Sequence, residues 1–146
     1  MEITSLKDLL KEGSTKIVHN GLSVHVTKSM IIEGEDRLSY TTALRLIECC
    51  RELHWQTDIV PFQEQHKIDS ICKVFTANFE KPMLLGSTLA ITYAITEIGN
   101  KSYHLRFLLS EEGSGHIYAT VEIVCVFYDP ITHSAMYPPG TICDRL

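Results

Sequence analysis

The chain has no apolar run approaching the roughly 20 residues that a membrane-spanning helix needs. Its first residues, Met1 to Asp8, lack the basic start and apolar stretch of a secretory leader, which predicts a cytoplasmic protein. Positive charge is in deficit. Lys and Arg total 13 against 18 Asp and Glu, a net charge of -5, which argues against a non-specific nucleic-acid surface or an anionic-membrane surface. The five cysteines are an odd number and include no Cys-x-x-Cys pair, so neither a disulfide framework nor a zinc ribbon is indicated. Cys49 and Cys50 are sequence neighbours on a helical pattern and diverge by about 100°, too far to chelate one metal. Cys72 and Cys125 fall within apolar alternation, where a reduced thiol behaves as a small hydrophobe. All five are therefore expected as free thiols. No phosphate loop or dinucleotide fingerprint occurs, and Gly113-Ser114-Gly115 lacks the outer glycines of a nucleophile elbow. The seven histidines are scattered and none has the helical i, i+4 spacing of a zinc motif, so no metal is expected.

What is present is a globular composition, 45% hydrophobic and 21% charged, in 146 residues without repeats or linkers. One α+β domain over 1–146 is predicted, with an N-terminal helix and lead-in over 1–20 and an irregular tail over 130–146. Ser5 and Asp8 suggest a capped helix through Lys11, stopped at Gly13. Leu22, Val24, Val26, Met30 and Ile32 alternate with polar residues, predicting a half-buried strand from Leu22 to Ile32. Glu33-Gly34-Glu35-Asp36 breaks it. A long helix follows from Ser39 to Trp55, with Asp36 or Ser39 as N-cap. Its apolar stripe is Ala43, Leu44, Ile47, Cys50 and Leu53, and its polar face Arg45, Glu48 and Glu52. After a loop over Thr57 to Lys67, four more strand patterns follow. They run from Ile68 to Phe79, through Leu89 to Ile95 with a bulge near Glu97, through Tyr103 to Leu109, and from Ile117 to Phe127. A single apolar helix followed by a meander packs by having the antiparallel sheet, of five or six strands, wrap the helix. That half-barrel leaves an edge open to a second copy.

The junction between the first strand and the helix is the place for chemistry. A helix N-terminus offers unpaired N–H groups and a positive dipole end, able to stabilise an oxyanion. Glu33, Glu35 and Asp36 place carboxylates beside it, either as general base or nucleophile, or simply as acids that cap the helix. Arg51, on the apolar stripe, reads as a structural ion pair across a dimer. Lys81, Lys101 and Arg106 are either phosphate contacts or solvated surface cations.

Four stretches carry a resemblance. They are Ile47-Glu48-Cys49-Cys50-Arg51-Glu52, the segment from Phe79-Glu80-Lys81-Pro82 to Leu85-Gly86-Ser87, and Lys101 to Phe107 with Ala119 to Phe127. In their order and spacing, over about residues 22 to 139, they resemble the hotdog-fold acyl-CoA thioesterases, the 4-hydroxybenzoyl-CoA thioesterase-like subgroup above all. In that family an aspartate closes the first strand eighteen residues before the helix-end arginine, and here that position holds Glu33. Seven residues on, where the family often has Asn or His, stands Tyr40. The resemblance implies Glu33 and Tyr40 as catalytic residues, with Asp36 or Glu48 as alternative acids. Backbone N–H groups of Leu38, Ser39 and Tyr40 would form the oxyanion site, and Asn78, Phe79 and His54 would contact substrate. For His54 a helix-terminal cap is the competing role, as it is for Trp55 beside it.

The implied activity is hydrolysis of an acyl-CoA or acyl-carrier-protein thioester at a dimer-interface site, with CoA as part of the substrate and no cofactor. The implied assembly is a homodimer, open to pairing into a tetramer. The alternative is a non-catalytic hotdog protein that binds acyl-CoA or acts as a scaffold. A dehydratase is disfavoured because no histidine lies between His25 and His54.

Overall fold

The computed structural model describes residues 5–63 and 67–143. Helix α1 (Leu6–Lys11) starts where the sequence indicates: the Ser5 hydroxyl accepts the Asp8 N–H at 3.2 Å. The lead-in then forms a strand that was not anticipated, β1 (Thr15–Val18), paired antiparallel with β2 (Gly21–His25). Only Thr15 of β1 is buried, so the strand has no apolar alternation to betray it. The predicted strand from Leu22 to Ile32 ends at His25. Val26 leaves the ladder to exchange hydrogen bonds with Gly86 and Ser87, and a 3₁₀ turn over Lys28–Met30 follows. The turn returns Met30 to the core, so its burial agrees with the alternation although the backbone does not.

Helix α2 (Tyr40–His54) is capped by Ser39, not Asp36: the Ser39 hydroxyl accepts the Thr42 N–H at 3.1 Å. The buried face is Ala43, Leu46, Ile47, Cys49, Cys50, Leu53 and His54, while Leu44 is only half-buried. The stripe is wider than predicted because α2 is covered on two sides. The sheet lies on one, and α1 on the other presents Leu6 and Leu9, with the Leu6 N–H donating to Glu52 at 3.0 Å. In place of the expected loop, Trp55–Ile59 continues as a π-type turn and Val60–Phe62 as a 3₁₀ turn.

Strands β3 (Asp69–Phe79), β4 (Thr88–Ile98), β5 (Ser102–Glu111) and β6 (Ile117–Asp129) match the remaining patterns. The sheet order is β1-β2-β4-β5-β6-β3, with every pair antiparallel. The predicted bulge is present as a register shift between Ile95 and Glu97. The tail is less irregular than expected: β7 (Ser134–Ala135) pairs with β6, and α3 (Gly140–Cys143) brings Ile142 into the core.

The inward residues of β4, β5 and β6, such as Ile91, Phe107 and Val121, close on α2 as a curled half-barrel. Each fully buried side chain of this size contributes about 1.5–3 kcal/mol. One glycine is demanded by close approach: a Cβ on Gly21 would overlap the Ile91 carbonyl oxygen across the β2–β4 pair. β3 is the longer of the two sheet edges, the other being β1. The residues of β3 are exposed or half-buried throughout, and Cys72, expected within an apolar face, is exposed on this edge strand.

Candidate active site at the start of the central helix

The chain from Ile31 to Tyr40 is held by short backbone ladders. Ile31 bridges Leu38, and Arg37 bridges Leu84. The Leu38 N–H donates to Met83 O at 2.8 Å and the Leu85 N–H to Asp36 O at 2.9 Å. Between the bridged positions the acidic turn closes through Glu35 N–H to Ile32 O at 2.9 Å, with Gly34 at φ +88, a conformation that favours glycine. These bonds seat the turn and the loop after β3 on either side of the α2 N-terminus.

A cavity of about 430 Å³ lies there. Its apolar base comes from Leu38 and Met83, both buried, and its rim carries Glu35, Arg37, Glu80 and Lys81. Glu35 and Arg37 are 3.9 Å apart. Tyr40 stands exposed at the mouth, its ring 4.6 Å from that of Phe79, the last residue of β3. Ser39, Tyr40 and Thr41 also face the cavity.

The expected oxyanion donors divide. The Leu38 N–H is spent on Met83 O, so Leu38 is not an open donor. The Tyr40 and Thr41 N–H groups belong to the first turn of α2, where no carbonyl lies one turn back, and they have no acceptor among the described residues. The positive end of the α2 dipole adds to them.

The predicted carboxylates are not all brought together. Glu33 and Asp36 are exposed on the turn at the cavity's edge, between lining residues Ile32, Glu35 and Arg37, but neither lines the cavity itself. Glu48 lies midway along α2 beside a different cavity of about 340 Å³, with Arg45, Glu52 and Ser70, and pairs with Arg51 at 3.7 Å. Arg51 is engaged within its own chain, donating to the Ser70 hydroxyl at 2.9 Å. Asn78 is exposed and does not line the cavity.

His54 is remote from this cavity at the far end of α2. It is fully buried, with Nδ1 2.8 Å from Asp58 and Nε2 3.1 Å from the Tyr103 hydroxyl; Tyr93 donates to the same Asp58 oxygen at 2.9 Å. Burial lowers the His54 pKa, more than the Asp58 contact raises it. Of the three candidate cations, Arg106 binds Glu122 at 2.8 Å and Lys101 lies over the Tyr137 ring, which leaves Lys81 on the cavity. Met83, Thr41 and Arg37 were not singled out from the sequence. The signal available for Met83 was its place just after the strand that ends in Phe79.

No protein-family model and no curated protein sequence matches the chain. Solved structures do. The probable thioesterase YbaW of Escherichia coli superposes with a TM-score of 0.72 at 20% identity, covering 84% of this chain and 92% of that one. A hypothetical protein of Staphylococcus aureus, solved in complex with CoA, gives 0.74 at 14% identity over 84% and 78% of the two chains. A 1,4-dihydroxy-2-naphthoyl-CoA thioesterase from Synechocystis gives 0.68 at 15% identity over 84% and 93%. The fold is therefore the hotdog fold: a curled antiparallel sheet around one central helix, shared with proteins named as thioesterases.

Proposed function

We propose that the protein hydrolyses acyl-CoA or acyl-carrier-protein thioesters at the cavity beside the α2 N-terminus. The observation that carries this reading is that Tyr40 and Thr41, the first residues of the central helix, line a cavity of about 430 Å³ whose edge carries the acidic turn. A thioester carbonyl seated against their backbone amides gains charge on oxygen as it is attacked, and fixed N–H donors favour that charge more than the neutral ground state. Glu33 takes a proton from water as the water adds to the carbonyl carbon. The tetrahedral intermediate then collapses, breaking the carbon–sulfur bond and releasing the thiolate of CoA. Direct attack by the Glu33 carboxylate, through an anhydride that water then opens, gives the same products. Tyr40 and Phe79 flank the acyl group at the mouth, and Lys81 is placed for a phosphate of CoA. CoA enters only as part of the substrate, and no metal or redox cofactor is involved.

The site is completed by a second copy. β3 is an open edge carrying Ile71 at 48%, Val74 at 48% and Phe75 at 41% exposure, an apolar strip that a homodimer would cover. Glu33, on the rim of the isolated chain, would then be enclosed by the partner.

The test is release of free thiol from a panel of acyl-CoAs of graded length, aromatic ones included, with CoA binding followed by calorimetry. Turnover of at least one member is expected. CoA binding without turnover of any member would replace the enzyme with the acyl-CoA-binding reading, and neither binding nor turnover would end both.

A further inference from the structure

The three consecutive apolar residues after Pro82 do not share one environment. Leu84 and Leu85 are exposed, whereas Met83 is 1% exposed and lies at the base of the cavity. Its backbone is fixed on both sides. The Leu38 N–H donates to Met83 O at 2.8 Å, Leu84 bridges Arg37, and the Leu85 N–H donates to Asp36 O at 2.9 Å. The turn carrying Met83 cannot withdraw without breaking the ladders that seat the α2 N-terminus.

Leu38 and Met83 form an aliphatic floor beneath a charged rim, with the rings of Tyr40 and Phe79 at the mouth. The floor is continuous with packed core. Val26, Met30 and Ala43 belong to the same buried cluster as Leu38 and Met83, and none of the three lines the cavity. Apolar space thus ends at the floor rather than running on as a tunnel, since a close-packed interior leaves no room beyond it.

A ligand with a charged body and an apolar tail fits such a site in one sense, body on the rim and tail on the floor. Each methylene of the tail that leaves water tightens binding about fourfold until the floor is met. A further methylene must overpack the core or turn back to water, and brings no gain. With the carbonyl held at the α2 N-terminus, the fold sets how many carbons lie between it and the floor.

Granted the thioester reading above, on which this rests, we propose that Met83 is the acyl-length gauge of the site: the tip of its side chain sets the longest straight-chain acyl group that the cavity holds, and the preferred substrates are short-chain aliphatic acyl thioesters. Methionine suits this place because its unbranched, flexible thioether reaches further past Cβ than the other aliphatic side chains. The second copy that completes the mouth leaves the gauge untouched, because Met83 is buried within its own chain.

The test reads binding rather than turnover. The full chain is titrated calorimetrically with straight-chain S-(2-oxoalkyl)-CoA thioethers of increasing length, which keep a carbonyl but have no thioester bond to hydrolyse. In wild type, affinity should rise about fourfold per carbon to a limit and then stop rising. Met83→Leu, Met83→Val and Met83→Ala shorten the side chain atom by atom and should raise the limit by about one, two and three carbons. The first two keep the series readable if Met83→Ala does not fold. Leu46→Ala, which opens the core at a residue that does not line the cavity, should leave the limit where it is in wild type. Wild-type affinity that climbs through the longest members, or a limit unmoved in Met83→Val, would overturn the gauge and leave the thioester reading standing. So would a limit that moves equally in Leu46→Ala. Binding of no member would overturn both, and thiol release from the acyl-CoA panel reads the thioester chemistry by itself, so the two failures are told apart.

Discussion

His54 is the most constrained polar side chain of the molecule. Fully buried on α2, it faces Asp58 from the following turn, Tyr93 from β4, Tyr103 from β5 and Arg51 one turn back. Its folded pKa is lowered by burial, so the unfolded chain binds a proton that the folded one refuses. Stability is then full above the unfolded value near 6.5 and declines as pH falls below it. Thermal melts should show Tm dropping between about pH 7 and 5, and His54→Gln should flatten that slope while lowering Tm at pH 7. Gly21→Ala, at the Ile91 carbonyl, should cost more than the roughly 1 kcal/mol of an ordinary strand substitution, read from urea midpoints.

In Val74→Lys, which leaves the β3 edge uncovered, Cys72 should be the first of the described cysteines to be alkylated, since it is exposed in the single chain while Cys49 and Cys50 are buried and pushed up to about 11 and about 12. Individual burial was legible where alternation is clean, as at Phe107 and Val121, and illegible at Cys72, whose apolar neighbours sit on an uncovered edge. The role of His54 was equally hidden. Its partners Tyr93 and Tyr103 are 39 and 49 positions away, and nothing local signals the contact.

At the level of elements, α2 and its cap decide the site. Ser39→Ala removes the acceptor for the Thr42 N–H and should cost about 1 kcal/mol, whereas Ser39→Asp should restore most of it. Leu46→Ala, in the face that packs on the sheet, should cost about 2–5 kcal/mol, and both losses are measurable by urea denaturation. Strands β4, β5 and β6 were readable because one face is buried and the other is not. The strand β1 was not, because it is an exposed edge with one buried residue. The end of β2 was misplaced because a 3₁₀ turn returned Met30 to the core in the same phase a strand would have. The acidic turn and the helix start were visible in the sequence. The loop that faces them, with Met83 at its base, is brought in by tertiary contacts: the bridge between Arg37 and Leu84 and the backbone bonds Leu38 to Met83 and Leu85 to Asp36.

For the whole molecule, a half-barrel with a long uncovered edge is an incomplete shape. The apolar strip on β3 predicts a dimer at micromolar concentration in sedimentation, and Val74→Lys should shift the equilibrium toward monomer by placing a charge on that edge. A wild-type monomer would contradict a shared site. The architecture was inferable because one apolar helix ahead of a meander has few ways to bury both. The chemistry was less so, because Glu33, the acid nominated by resemblance, lies on an exposed turn and does not line the cavity. The most direct measurement is steady-state thiol release by wild type and Glu33→Gln on the best substrate of the panel, with Glu48→Gln alongside. The account predicts that kcat falls by about 100-fold or more in Glu33→Gln with KM little changed, and that Glu48→Gln retains activity. Full activity in Glu33→Gln would contradict it, and loss in Glu48→Gln alone would move the chemistry to the middle of the helix.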